Sequence, residues 1–238
     1  MNAESDPPRS VEVAHLLREL ALAVHGGEVG DDARAAAFAH LRAAHELLRD
    51  GEPRRRWYEV DPDDGSATRA RNRELSAFSG MLNPIAPPMA IEAGTLEDGR
   101  PALVGRVRLD RLREGPPRSG HGGVIAGLFD ELLGGGQRLA TGAPGMTARL
   151  NVRFRRPTPI EQDLELWAWV HDERLRRVVV RAECVVAATG PGPHRPGGER
   201  VTAEAEALFL GVDFEGLEAG LRDRPDGTPP PPAPRGRS

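Results

Sequence analysis

The sequence predicts an α+β domain in which an antiparallel sheet curves round one central helix. Three observations carry this. Two strand-like runs precede a single long apolar helix, about four strand-like runs follow it, and the turns between them are rich in Gly, Pro and charge. Antiparallel strands must bury one face, and one apolar helix within the run can cover it. A chain of 238 residues has room for such a domain, with a substantial core and further segments at its ends.

Two helices come first. Ser10 can cap a helix running to about His25, with Val13, Leu16, Leu17, Leu20 and Val24 at helical spacing and Gly26-Gly27 as its stop. Asp31 or Asp32 can cap a second, to about Arg49, carrying Phe38, Leu41, Leu47 and Leu48 and ended by Gly51-Glu52-Pro53. Thr68–Ala77 is a short helical piece. SGMLNPIAPPM, from Ser79, has too much Pro and Gly to be regular. Strand-like Ala90–Thr95 and Ala102–Leu109 flank Glu97-Asp98-Gly99, a hairpin signal. Gly120-His121-Gly122-Gly123 then opens the apolar helix VIAGLFDELLGGGQRLA.

In the next strand, Met146–Phe154, Ala148, Leu150, Val152 and Phe154 alternate with Arg149, Asn151, Arg153 and Arg155. Leu164–Val170 and Val178–Ala187 follow, then a Gly/Pro-rich loop, then Val201–Val212. In that last strand Val201, Ala203, Ala205 and Ala207 oppose Thr202, Glu204 and Glu206. Trp167 and Trp169 should share one sheet face, either the core or a pocket wall. The tail from about Asp223, ending in PPPPAPRGRS, cannot bury a core and should be disordered or extended. The chain thus divides into a helical extension (1–78), the α+β domain (79–213) and a Pro-rich tail (214–238).

Composition removes several functions. A net charge of −4 implies no basic surface for nucleic acid. No run is long and apolar enough for a membrane span, and the N-terminus lacks the pattern of a secretory signal. The single cysteine, Cys184, permits no intrachain disulfide, so a cytoplasmic location is expected. Cys184 lies within a strand and reads as a small buried residue, without a His partner that would make it a nucleophile. All 32 basic residues are Arg, so no lysine can serve as a base or form a Schiff base. His15, His25, His40 and His45 read as surface groups on the peripheral helices, and His121 has no neighbours at metal-ligand spacing.

The segment GHGGVIAGLFDE carries the chemistry. Glycines at a helix start leave backbone N–H groups bare, and the helix dipole adds positive potential where a carbonyl oxygen could become an oxyanion. Asp130, further along the helix, can attack a carbonyl or activate water. Gly122 and Asp130 are ~12 Å apart at ~1.5 Å per residue. A reacting carbonyl needs both groups within about 3 Å. One helix cannot supply both, so if both act, a two-fold dimer must bring the glycines of one copy to Asp130 of the other.

At these residues the sequence resembles a known family. HGGVIAGLFDE, followed by GMTARLNVRFRRPTPI, with NPIAPPM and EGPP upstream and VTAEAEALFLGV at the close, resembles the hotdog-fold acyl-CoA thioesterases of the phenylacetate-pathway (PaaI-like) type over about Ser79–Val212. The resemblance implies a hotdog fold and hydrolysis of an acyl-CoA or acyl-carrier thioester in a homodimer or homotetramer. No cofactor or metal is implied, since coenzyme A is part of the substrate. It implies that the N–H of Gly122, with Gly123, binds the thioester oxygen and that Asp130 is nucleophile or general base. Thr147 would orient the water or the carboxylate, and His121 would position the thioester and fix the turn. Relatives carry Asn or Gln a few residues before the His. Here Glu114-Gly115-Pro116-Pro117 stands in that place, so the polarising side chain is missing or comes from elsewhere, with Asn83 as a candidate. Arg153, Arg155 and Arg156, with Arg149, form a basic strand face that is either solvated or an anchor for the phosphates of coenzyme A. Against hydrolysis stand a hotdog that binds acyl thioesters without turnover and a hotdog dehydratase or hydratase.

Overall fold

The computed structural model describes residues 7–52, 73–141, 145–175, 177–187, 194–198 and 200–212. The expected Pro-rich tail and the start of the Thr68–Ala77 piece lie outside the described residues; within that piece Arg73 and Glu74 are helical.

Helix α1 spans Pro7–Gly26, starting three residues before the expected cap. Its two prolines fall in the first turn, where a backbone N–H has no helical partner to lose. Helix α2 spans Asp31–Arg49 as the pattern predicts, but its cap is Gly30, and Asp31 and Asp32 lie in the first turn, favourable to the helix dipole. None of its residues is buried, and Phe38, Leu41, Leu47 and Leu48 are exposed.

Strands β1 (Ala90–Thr95) and β2 (Pro101–Arg108) form the expected hairpin, with Gly99 at φ +85° in the turn. Helix α3 spans Gly122–Gly136. Strands β3 (Gly145–Phe154), β4 (Asp163–Arg174), β5 (Arg177–Val186) and β6 (Val201–Gly211) complete one six-stranded antiparallel sheet of order β1-β2-β4-β5-β6-β3. This is the hotdog fold. The core lies between α3 and the sheet. Ile125, Leu128, Phe129, Leu132 and Leu133 meet Leu166 and Ala168 of β4, Val180 and Ala182 of β5, and Ala203, Ala207 and Phe209 of β6. The helix's last turn comes so close that a Cβ on Gly136 would stand 3.1 Å from the Val180 side chain.

A bulge revises one expected face. The β5–β6 register shifts between Cys184 and Val185, so Thr202 sits between two ladder positions. Val201 therefore faces away from Ala203 and joins a second apolar cluster on the outer face of the sheet. Trp167 and Trp169 share a face, as expected, and are buried in an apolar cluster with Leu96, Ala102, Val104 and Val185; that cluster is the outer one, on the side of the sheet away from α3. Another shift, between Val170 and Asp172, lies in β4, which runs four residues beyond its expected end.

Cys184 is buried in the core, as its pattern suggests. Burial pushes its thiol up from 9.0 to about 11, against a hydrogen bond with Thr202. A thiol whose folded pKa is raised adds stability that is complete below its unfolded pKa and is lost as pH rises towards the folded one. Unfolding free energy should therefore fall between about pH 9 and 11 through this residue. Chemical denaturation across that range should show a shallower decline for Cys184→Ala; identical pH profiles would contradict it.

Candidate active site

Backbone hydrogen bonds hold the turn before α3. The N–H of Gly120 donates to the Thr158 carbonyl at 2.8 Å, and that of His121 to the Arg113 carbonyl at 2.7 Å. His121 is the N-cap: its Nδ1 accepts the Gly123 N–H at 3.0 Å. An accepting Nδ1 carries no proton, so the neutral ring has its hydrogen on Nε2. The same bond uses up the Gly123 N–H. Among the described residues the Gly122 N–H has no partner, which leaves it as the open donor at the positive end of α3. A Cβ on Gly122 would meet the Phe154 ring at 3.2 Å.

Asp130 is exposed on the flank of α3 turned from the core, on the same face as Gly123, Gly127 and Gly134. The Thr147 hydroxyl, from the start of β3, donates to Asp130 Oδ1 at 3.1 Å. The neighbouring Glu131 points elsewhere and accepts a hydrogen bond from Ser79. Because α3 is unbroken, Gly122 and Asp130 remain ~12 Å apart. The structure thus brings Asp130 to Thr147 and His121 to Gly123, and keeps the two pairs separate within one chain. Strand β3, which carries Thr147, pairs with β6 on one side only and is a sheet edge with Met146 and Phe154 exposed.

Other candidates have different surroundings. The Asn83 amide donates to the carbonyls of Leu75 and Ser76, and its oxygen accepts the Ile85 N–H. These three hydrogen bonds all lie within its own loop. Glu114 accepts the Arg118 N–H and shapes the turn before His121. The sheet separates Arg153 from α3: Val152 packs towards the core, whereas Arg153 borders an outer groove with Trp169, Arg181, Glu183 and Glu206. Arg155 is ion-paired with Glu204 at 2.7 Å, and Arg156 lies beside it around a neighbouring outer hollow. The three arginines therefore do not converge on the start of α3.

Sequence reasoning missed two arrangements. The half-buried Phe78 lies on Gly127, where a Cβ would collide with the tip of its ring. A glycine inside an apolar helix is the signal that could have found it. On the outer face, buried His194 contacts the buried Glu183 carboxylate at 2.7 Å and stacks on Trp167 with ring centroids 5.4 Å apart. No group of described His, Cys, Asp or Glu residues could hold a metal ion, and no described helix is long and apolar enough to cross a membrane.

Residues 120–189 match the Thioesterase superfamily family model. The chain resembles the hotdog-fold thioesterases. Among solved structures, a thioesterase superfamily protein is 25% identical with a TM-score of 0.65, over 84% of this chain and 94% of that one. Zebrafish thioesterase superfamily member 2 is 16% identical (TM-score 0.45, 60% and 96% covered). The Escherichia coli PaaI protein from the phenylacetic acid degradation operon is also 16% identical (TM-score 0.41, 51% and 79% covered). No curated protein matches. Residues 79–238 make up only two thirds of the chain, so the 84% match extends into the N-terminal helical segment.

Proposed function

We propose that this chain hydrolyses acyl-CoA thioesters at a site shared by two copies, in the cytoplasm. The observation that carries the reading is the Thr147 hydroxyl on the Asp130 carboxylate, with the open Gly122 N–H ~12 Å away on the same helix. The Gly122 N–H of one subunit binds the thioester oxygen and stabilises it as charge develops. Asp130 of the other subunit, held by Thr147, takes a proton from water as the water oxygen bonds to the carbonyl carbon. Collapse of the adduct breaks the C–S bond. The carboxylic acid and the coenzyme A thiol leave, and the proton held by Asp130 returns to the leaving sulfur. In the variant in which Asp130 is the nucleophile, an acyl-enzyme anhydride precedes the water step. The exposed edge of β3 suits pairing with a second β3 across a two-fold axis.

A second reading is a hotdog that binds acyl thioesters without turnover. It is favoured by the engagement of the Asn83 amide within its own loop, which takes away the candidate polarising side chain among the described residues. Coenzyme A release from short, medium, long and aromatic acyl-CoAs, followed with a thiol reagent, separates the two. Turnover of at least one substrate is expected. Binding without release would favour the second reading or a carrier-protein thioester as substrate.

A further inference from the structure

The outward flank of α3 is covered midway by the ring of Phe78, lying on Gly127. Gly127 is one turn before Asp130, ~4.5 Å along the axis and on the same flank. A carbonyl that reaches Asp130 therefore has this ring beside it. Of the carbonyl's two substituents the acyl group is the apolar one, and Phe78, packed against the core cluster, is an apolar wall.

The wall is fixed from two sides. Next to Phe78, the Ser79 hydroxyl donates to Glu131, one residue beyond Asp130. On the other side Arg18 of α1, buried, donates through one guanidinium nitrogen to the carbonyls of Met81 at 2.7 Å, Asn83 at 2.9 Å and Gly80 at 3.3 Å. Within the loop, Leu82 N–H donates to the Glu74 carbonyl at 2.8 Å, and the turn at Gly80 is so close that a Cβ would stand 2.5 Å from the Ser76 carbonyl oxygen. A ring seated on such a loop does not swing aside for a bulky group.

We propose that Phe78 is a specificity-determining residue of the acyl pocket, excluding acyl groups that are branched or aromatic near the carbonyl, and that Arg18 and Glu131 are the positioning residues that hold it there. This rests on the thioesterase reading above. It also gives the N-terminal helix a part in substrate selection.

The test is kcat/KM for straight-chain, branched and aromatic acyl-CoAs in wild type, Phe78→Ala, Phe78→Leu and Arg18→Met. Phe78→Ala should raise the ratio of bulky to straight-chain kcat/KM by about tenfold or more, since a few methylenes of pocket space give at least that discrimination. Phe78→Leu, which keeps an apolar filler over Gly127, should shift the same ratio less and decides the matter if the alanine variant does not fold. Arg18→Met should shift it in the same direction, a change of ranking that loss of stability alone would not cause. Activity with an unchanged ranking in the Phe78 variants would overturn the proposal. A wild type inert on the whole panel is a separate failure, that of the thioesterase reading, and takes this proposal with it.

Discussion

Asp130→Asn is expected to lower turnover by a factor of about 10²–10⁴, the usual contribution of a positioned base or acid. The substitution is nearly isosteric and keeps an oxygen to accept the Thr147 hydroxyl, so the fold and the β3 contact should survive. What it removes is the capacity to take a proton or attack carbon. Glu131→Gln is the internal control. Glu131 is engaged with Ser79, and a glutamine oxygen accepts that hydrogen bond equally, so much of the activity should remain. Steady-state kinetics on the best substrate gives the ranking, and the reverse order would remove Asp130 from its assigned role.

Gly122→Val should be nearly as severe, with a loss of about 10²–10³, the scale for one oxyanion donor. The first added carbon already meets the exposed Phe154 ring at 3.2 Å, and the branched methyls reach further, over the ground where the thioester oxygen must approach the open N–H. The ring can yield, but the bulk beside the N–H stays. This variant also tests the shared site. Co-expressed with Asp130→Asn, it should form mixed dimers with one intact site each, restoring about a quarter of wild-type activity from two nearly inactive chains. No recovery, with mixed dimers demonstrated by differential tagging, would place both groups in one chain's site.

Much of this architecture is legible in the sequence, for identifiable reasons. Asp31–Arg49, Ala90–Thr95 and the long apolar helix have clear periods and strong breakers at their ends. The separation of Gly122 from Asp130 follows from helical rise alone. Other features were hidden because period-two alternation tells which residues share a face but not what covers it. Trp167 and Trp169 share a face as expected, yet a loop carrying His194 covers it rather than α3. Val201 changed sides because a bulge shifts the phase without leaving a mark in residue type. Arg153 reads by charge as either a solvated residue or a phosphate anchor, and its outward direction is decided by α3 packing on the opposite, Val152 side of the sheet. Asn83 reads as a candidate polarising side chain, and nothing in residue type marks its three hydrogen bonds within the loop.

The Arg18 contact bears on how such a chain can be remodelled. Three carbonyls of the hotdog domain take their donor from a helix that precedes it by some sixty residues. The extension is therefore not a detachable module. Exchanging it for another N-terminal segment, by recombination or by design, would bare those carbonyls and alter selectivity without touching a single residue of the strands or of α3.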